Sequence, residues 1–208
     1  MSSNQIITSQ YHPRPEAIPF HARSQRFSVM VWHRRAGKTV ACINDVIDKV
    51  MESELSVILK NGAKVRLYGA DNPDSLRGNY FDGVIIDEYG DITPRLFGEV
   101  IAPTLADRKG WCVFIGTPKG RNHFFDLWED AGSSGTWFTS MLRASQSGII
   151  DADELEMLRN SPGSDENTFR QEFECDFAAA VRGAYYGDQI NALEATHCGL
   201  FPYDPNKP

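Results

Sequence analysis

With 208 residues, 41% hydrophobic and 11% aromatic, the chain can bury one good core and is most simply one domain with appendages. A net charge of −7 argues against a protein that coats nucleic acid, because phosphate binding needs basic surface, and confines any DNA contact to a local patch. The cysteines Cys42, Cys112, Cys175 and Cys198 are dispersed without a C-x-x-C pair, so neither a zinc site nor a disulfide framework is indicated and they read as buried thiols. The N-terminus lacks an apolar stretch of signal-peptide length, and no segment approaches a membrane span, so a soluble intracellular protein is expected.

Residues 1–26 are polar and proline-punctuated and form an arm before the first strand. "FSVMVW" (27–32) is a short apolar, β-branched run and predicts a buried strand. "TVACINDVIDKV" (39–50) sets Val40, Ile43, Val46, Ile47 and Val50 at helical spacing and predicts a helix with that face inward. Between them lies "HRRAGKT", which ends as the phosphate-binding loop G-x-x-x-x-G-K-[ST] ends but has Trp32 where the motif begins with glycine. Strand, loop and helix still come in the required order. A helix start at Lys38 and Thr39 offers unpaired N–H groups and a positive dipole end to a phosphate, with Lys38 for the β/γ oxygens and Thr39 for Mg²⁺. The loop residues Arg34, Arg35, Ala36 and Gly37 complete the candidate phosphate cradle.

Further along, "ELSVILKNGAKVRLYG" (54–69) reads as two alternating runs around the hairpin signal Asn61-Gly62. "DNPDSLRGNYFDG" is loop, and "VIIDEYGDI" (84–92) is a buried strand ending in acids. Asp87 is placed to hold Mg²⁺ through water, and Glu88 lies beyond the strand where it can orient or deprotonate the attacking water. Taken alone, the two acids could equally be solvated loop residues. "RLFGEVIAPTLAD" looks helical until Pro103, and "GWCVFIGTPKG" (110–120) is another buried strand entering a turn. There Thr117 could sense the γ-phosphate, and Lys119 or Arg121 could contact phosphate or a neighbour; the bland alternative is an ordinary strand-to-helix turn. "NHFFDLWEDAG" is an amphipathic helix stopped by Gly132, "TWFTSMLRA" is strand-like, and "DADELEMLRN" and "SDENTFRQEFECDF" are helices with acidic or serine caps. Strands alternating with helices imply a parallel α/β sheet.

Read together and in order, "WHRRAGKT", "ADNPDSLRG", "DGVIIDEYGDI" and "FIGTPKGRNHFFDLW" resemble the ATPase domain of the large terminase subunit of tailed bacteriophages. The resemblance extends over most of the chain, from the "YHPRP" arm to "GAYYG". It implies an additional-strand (RecA-like, ASCE) P-loop NTPase with a mostly parallel sheet flanked by helices. The strand ending at Gly116 should then lie between those ending near Trp32 and Asp87. It also implies Lys38 and Thr39 on ATP and Mg²⁺, Arg34 or Arg35 on phosphate, Asp87 as metal holder, Glu88 as catalytic acid-base residue, and Gly116 to Pro118 coupling hydrolysis to DNA movement. Arg77, in "DSLRG", would be an arginine finger toward a neighbouring subunit; the plain alternative is a solvated arginine or a pair with Asp74.

The implied function is ATP hydrolysis that drives double-stranded DNA into a procapsid. The implied partners are the portal protein, the small terminase subunit and further copies of this chain in a ring, for which a pentamer is expected. No membrane partner is expected. The place of action would be the host cytoplasm and, transiently, the procapsid portal, not the mature virion. The rival readings are a helicase-like P-loop ATPase and a nucleotide-binding assembly module without turnover. The expected organisation is an arm over 1–26, the ATPase domain over 27–180 and, over 181–208, a linker toward a nuclease domain that is absent.

Three departures from the family pattern accompany the resemblance. Glu16 and Ala17 stand where the family arm carries an adenine-reading glutamine. A strand and helix that normally follow the first helix are missing between Val50 and Met51, which predicts a break in the chain there. The chain also ends at "YDPNKP", where the nuclease's first strand should begin.

Overall fold

The computed structural model describes residues 11–47, 50–52, 56–59 and 64–179. Its main sheet has four parallel strands in the order β5-β6-β1-β7, with β1 Phe27–Trp32, β5 Gly83–Ile86, β6 Trp111–Gly116 and β7 Phe138–Leu142. The strand ending at Gly116 therefore separates β1 from β5, as the additional-strand P-loop class requires. Register is set by alternation. Val29 and Val31 of β1 join Cys112 and Phe114 of β6 in the core on one face. Met30 and Trp32 join Val113 and Ile115 on the other, as a side-chain period of two demands.

The first core is largely aromatic. The Phe114 ring lies between Tyr89 and Phe97 at centroid distances of 4.8 Å and beside Trp137 at 5.8 Å, and Tyr89 continues the cluster to Phe124. Edge-to-face pairs of this kind stabilise beyond their buried area. The second core is roofed by the arm, which turns through Pro15–Ala17 into α1 (Ile18–His21) and buries Ala17 and Phe20. His21 and Arg23 then share Asp45 of α2 (Lys38–Ile47) at 3.0 and 2.8 Å, fastening the arm to the helix that follows the phosphate loop.

Several elements differ from expectation. Helix α2 spans Lys38–Ile47 and stops short of Val50, which opens strand β2 (Val50–Glu52). Its buried apolar residues, among those described, are Ala41 and Cys42, whereas Val40 and Ile43 are 52% and 44% exposed; periodicity identified an apolar stripe but not the side the sheet would cover. Val50 and Met51 are consecutive residues of β2, paired in unbroken register with Leu59 and Ile58 of β3 (Ser56–Leu59), so the expected break in the chain is not there. Strand β3 also pairs antiparallel with β4 (Lys64–Arg66). This is the predicted hairpin pairing, although its Asn61-Gly62 turn lies outside the described residues.

Pro103 does not end the helix before β6. A π-helical turn over Leu96–Ile101 leads into α3 (Ala102–Ala106), whose second residue is Pro103; the Glu99 carbonyl, four residues before a proline that has no N–H to give it, accepts from the Arg77 guanidinium at 3.2 Å instead. Helix α4 (His123–Ser134) likewise passes Gly132 and ends at Gly135, whose φ of +64° supplies the left-handed cap. The chain continues through α5 (Ala144–Ser147), α6 (Ala152–Arg159) and α7 (Glu166–Glu174); Asp151 and Asp165 accept the caps of the last two. Of the cysteines, Cys42, Cys112 and Cys175 are buried free thiols. Burial pushes Cys175 up to about 12, and Cys198 lies outside the described residues.

Candidate nucleotide site

The loop from β1 to α2 begins at Trp32, which is no substitute glycine but a core residue: its indole N–H donates to Ser140 Oγ at 2.9 Å, and its ring is buried. His33, which drew no attention in the sequence, is fully buried inside the loop. Its Nδ1 faces the Arg34 carbonyl and its Nε2 faces Ser147 Oγ at 3.0 Å. A carbonyl only accepts, so Nδ1 carries the proton and Nε2 is left to accept from the serine hydroxyl. Burial lowers the His33 pKa below its ordinary value, against the pull of the Arg34 hydrogen bond, which keeps the ring neutral. The Arg34 N–H donates to Glu172 O of α7 at 2.7 Å, and its guanidinium is 3.7 Å from the Glu172 carboxylate. The loop is thus clamped by its neighbours where the sequence motif would rely on a first glycine.

The rest of the loop turns through left-handed backbone. Arg35 and Gly37 lie at φ +67° and +85°; the second is a glycine position, while at the first a bulky residue holds a left-handed conformation. The buried Ala36 offers its carbonyl to Arg14 of the arm at 3.3 Å. Helix α2 then starts at Lys38, so its first N–H groups face the loop's concavity.

Strand β5 delivers the acids to the same place. Thr39 Oγ1 donates to Asp87 Oδ2 at 3.0 Å, and Lys38 Nζ is 3.7 Å from Glu88 Oε1. The Asp87 carboxylate also accepts from the Glu88 N–H at 2.9 Å. Residues 48 apart in sequence thus form one cluster. Glu88 adopts φ 49° and ψ 49°, a left-handed conformation that no motif signalled and that turns the chain abruptly beyond the strand. Thr117 is buried just beyond β6. That strand lies between β1 and β5, so its end falls between the phosphate loop and the acids.

A hydroxyl and a carboxylate in mutual contact are hard oxygen donors, the kind Mg²⁺ takes when phosphate oxygens and water complete its shell. The Thr39–Asp87 pair fits such an ion. Among the described residues, no group of three or more His, Cys, Asp or Glu could hold a metal by itself.

Arg77 and Lys119 lie outside this cluster. Arg77 Nε pairs with Asp74 at 2.6 Å, and its other nitrogens reach the carbonyl and carboxylate of Glu99; the pair with Asp74 was the plain alternative. Lys119 pairs with Asp91 rather than standing open to phosphate. Arg121 lies over the Phe125 ring. Asn122 was also missed, although an asparagine directly before "HFFDLW" is a legible cap signal.

Comparison with known proteins gives this geometry a family. Over 58 residues, 28% of this chain, the sequence is 48% identical to the terminase large subunit of Thermus phage G20c. Over 141 residues, 65% of this chain, it is 30% identical to that of Escherichia phage T5. These stretches cover 12% and 31% of the two relatives' own lengths. Among solved structures, the large terminase ATPase domain of Thermus phage P74-26 superposes with a TM-score of 0.65 at 21% identity, covering 80% of this chain and 94% of that one. A large terminase of a thermophilic bacteriophage in complex with ADP superposes with a TM-score of 0.51 at 12% identity, over 75% of this chain and 41% of that one. The family model for the terminase large subunit, T4likevirus-type, N-terminal, matches residues 32–192. A match that starts at the head of the phosphate loop and runs past the last described helix makes this chain a member of the terminase large-subunit family.

Proposed function

We propose that this chain is a Mg²⁺-dependent ATPase whose turnover drives double-stranded DNA into a procapsid. The observation that carries the reading is the convergence of Lys38, Thr39, Asp87 and Glu88 at the ends of β1 and β5. The start of α2 and the left-handed Gly37 cradle the phosphates through backbone N–H groups, and Arg34 or Arg35 adds a cation from the loop. Thr39 and Asp87 would hold Mg²⁺, which would supply positive charge against the developing charge of the phosphates. Without nucleotide, Lys38 lies against Glu88. Entering phosphates draw the lysine to themselves and leave the carboxylate available to orient or deprotonate the attacking water. Thr117 senses the γ-phosphate, and the segment from Gly116 to Pro118 relays its state.

Arg77 acts in trans in this reading. Its contacts are with Asp74 and Glu99 and not with its own phosphate loop, so a neighbouring subunit's ATP would draw it from an exposed, modest ion pair. The ring, the portal protein, the small terminase subunit and the host cytoplasm belong to the same proposal, and membership of the family supports them. The ATPase module is assigned to 27–180, preceded by the arm. Adenine recognition is left to arm residues other than the missing glutamine, since Ala17 is buried in the core beneath the sheet.

The test is phosphate release with ATP and Mg²⁺, with and without double-stranded DNA, for the natural chain and for Lys38→Ala. DNA-stimulated turnover without strand separation, lost in the variant, supports the motor. Strand separation would point to a helicase-like enzyme, and absence of turnover to an assembly module. Mixing Arg77→Ala with Glu88→Gln subunits places the finger: recovered activity supports action in trans, whereas a ring as inactive as either variant alone rejects it.

A further inference from the structure

The turn that carries Glu88 is held from outside, residue by residue. Beyond Glu88 the chain makes one 3-10 turn, Tyr89–Asp91. Each of its three residues is gripped by the segment joining β6 to α4. His123 Nε2–H donates to the Tyr89 carbonyl at 2.9 Å, Asn122 Nδ2–H donates to the Gly90 carbonyl at 3.1 Å, and Lys119 pairs with the Asp91 carboxylate. The Tyr89 ring also meets the His123 imidazole edge-on at 4.8 Å, and a Cβ on Gly116 would lie 3.5 Å from the Tyr89 N–H and 3.1 Å from the Phe124 ring. Within the turn, the Asp91 N–H donates to the Glu88 carbonyl at 2.9 Å.

A left-handed conformation at a glutamate persists only where surrounding structure over-determines it. Here the surrounding structure is the β6–α4 segment. We propose that Asn122 and His123 are positioning residues for Glu88: by holding the Gly90 and Tyr89 carbonyls, they fix the left-handed turn that aims the carboxylate at the attacking water. The proposal rests on the reading of Glu88 as the catalytic carboxylate. It extends the catalytic machinery to two residues that need touch neither nucleotide nor metal. It also ties the carboxylate's aim to the start of α4, so that any movement of that helix start is felt at Glu88.

Asn122 allows a clean test because its two ends do different things. Its Oδ1 accepts the Phe124 N–H at 3.0 Å and caps α4, while its Nδ2 grips Gly90. Asn122→Ser and Asn122→Asp both keep a capping oxygen and remove the amide N–H that reaches Gly90, the serine hydroxyl being carried on a shorter side chain. In the 208-residue chain both should lose no more than the about 2–4 °C of melting temperature that one hydrogen bond is worth and keep their KM for ATP and their affinity for a fluorescent ATP analogue, while kcat falls by about 10- to 100-fold, the range expected when a reacting group is misplaced by about an ångström. His123→Gln keeps an N–H donor and should retain more kcat than His123→Phe, which keeps only the ring against Tyr89. Adding Asn122→Ser to Glu88→Gln should cost little further rate, since groups that act as a unit are not additive.

Unchanged kcat in both Asn122 variants, or a rise in KM with kcat intact, overturns the proposal while leaving Glu88 catalytic. A double variant that loses the full product of the two single losses overturns it as well, because Asn122 would then act independently of Glu88. Full turnover by Glu88→Gln alone removes the reading of Glu88 and the proposal with it.

Discussion

Replacing Glu88 by glutamine separates its two relations to nucleotide, which have opposite signs. The side chain keeps its size and the turn its shape, but the charge 3.7 Å from Lys38 disappears. Coulomb attraction at that distance is about 4 kcal/mol at an effective dielectric constant near 20. Glu88, however, has 50% of its side-chain area open to water although Lys38 has only 9%, and that opening screens the pair toward the about 0.2–1 kcal/mol measured for exposed pairs. That is the free energy the phosphates no longer have to overcome to take Lys38. ATP should therefore bind Glu88→Gln as tightly as the natural chain, or up to about fivefold more tightly. Turnover should fall by about 100-fold or more, because the group proposed to orient or deprotonate water is gone. Titration of a slowly hydrolysed fluorescent ATP analogue gives the first quantity, and phosphate release at saturating ATP the second. Lys38→Ala is the contrast: it should weaken affinity as well as rate. If both variants lose affinity equally, Glu88 is a structural partner of Lys38 and the assignment of chemistry to it is wrong.

Three further outcomes follow from packing and titration. Among the described residues, Ser28 Oγ is the one buried side-chain oxygen with no hydrogen-bond partner, so Ser28→Ala should stabilise the fold by about 1 kcal/mol and raise Tm by about 2–4 °C; a lower Tm would show that the hydroxyl is satisfied in solution. A Cβ on Gly110 would lie 2.6 Å from Leu105 Cδ2 and 2.7 and 2.9 Å from the Phe81 and Asp82 carbonyls. Because two of these are backbone, Gly110→Ala should destabilise by about 1–3 kcal/mol, read by chemical denaturation, and an unchanged midpoint would refute the close approach. Finally, the lowered pKa of His33 means that below the ordinary imidazole value of about 6.5 the unfolded chain binds more protons than the folded one. Its contribution to stability is therefore present at pH 7 and falls on acidification. The stability advantage of the natural chain over His33→Gln should shrink from pH 7 to pH 5; an advantage independent of pH would place the imidazole in contact with water.

Short-range order determined much of this protein. The apolar runs 27–32 and 110–116 became β1 and β6 because alternating large side chains can bury both faces of a parallel sheet. The G-K-T ending and the Asp87-Glu88 pair were legible as chemistry because their spacing from strand ends is fixed by local geometry. Sequence pattern also carried the resemblance that placed β6 between them. What it could not decide were matters of packing between distant segments. Val40 and Ile43 lie on a helical stripe, yet the sheet covers Ala41 and Cys42, because which side of a helix faces a sheet depends on where the neighbouring elements dock. The left-handed turn at Glu88, the neutral His33 beneath the phosphate loop and the grip of Asn122 and His123 on residues 89 and 90 join segments about 30 to 115 residues apart. No local propensity encodes a hydrogen bond over that separation; only closure of the β5-β6-β1-β7 sheet brings the partners within reach.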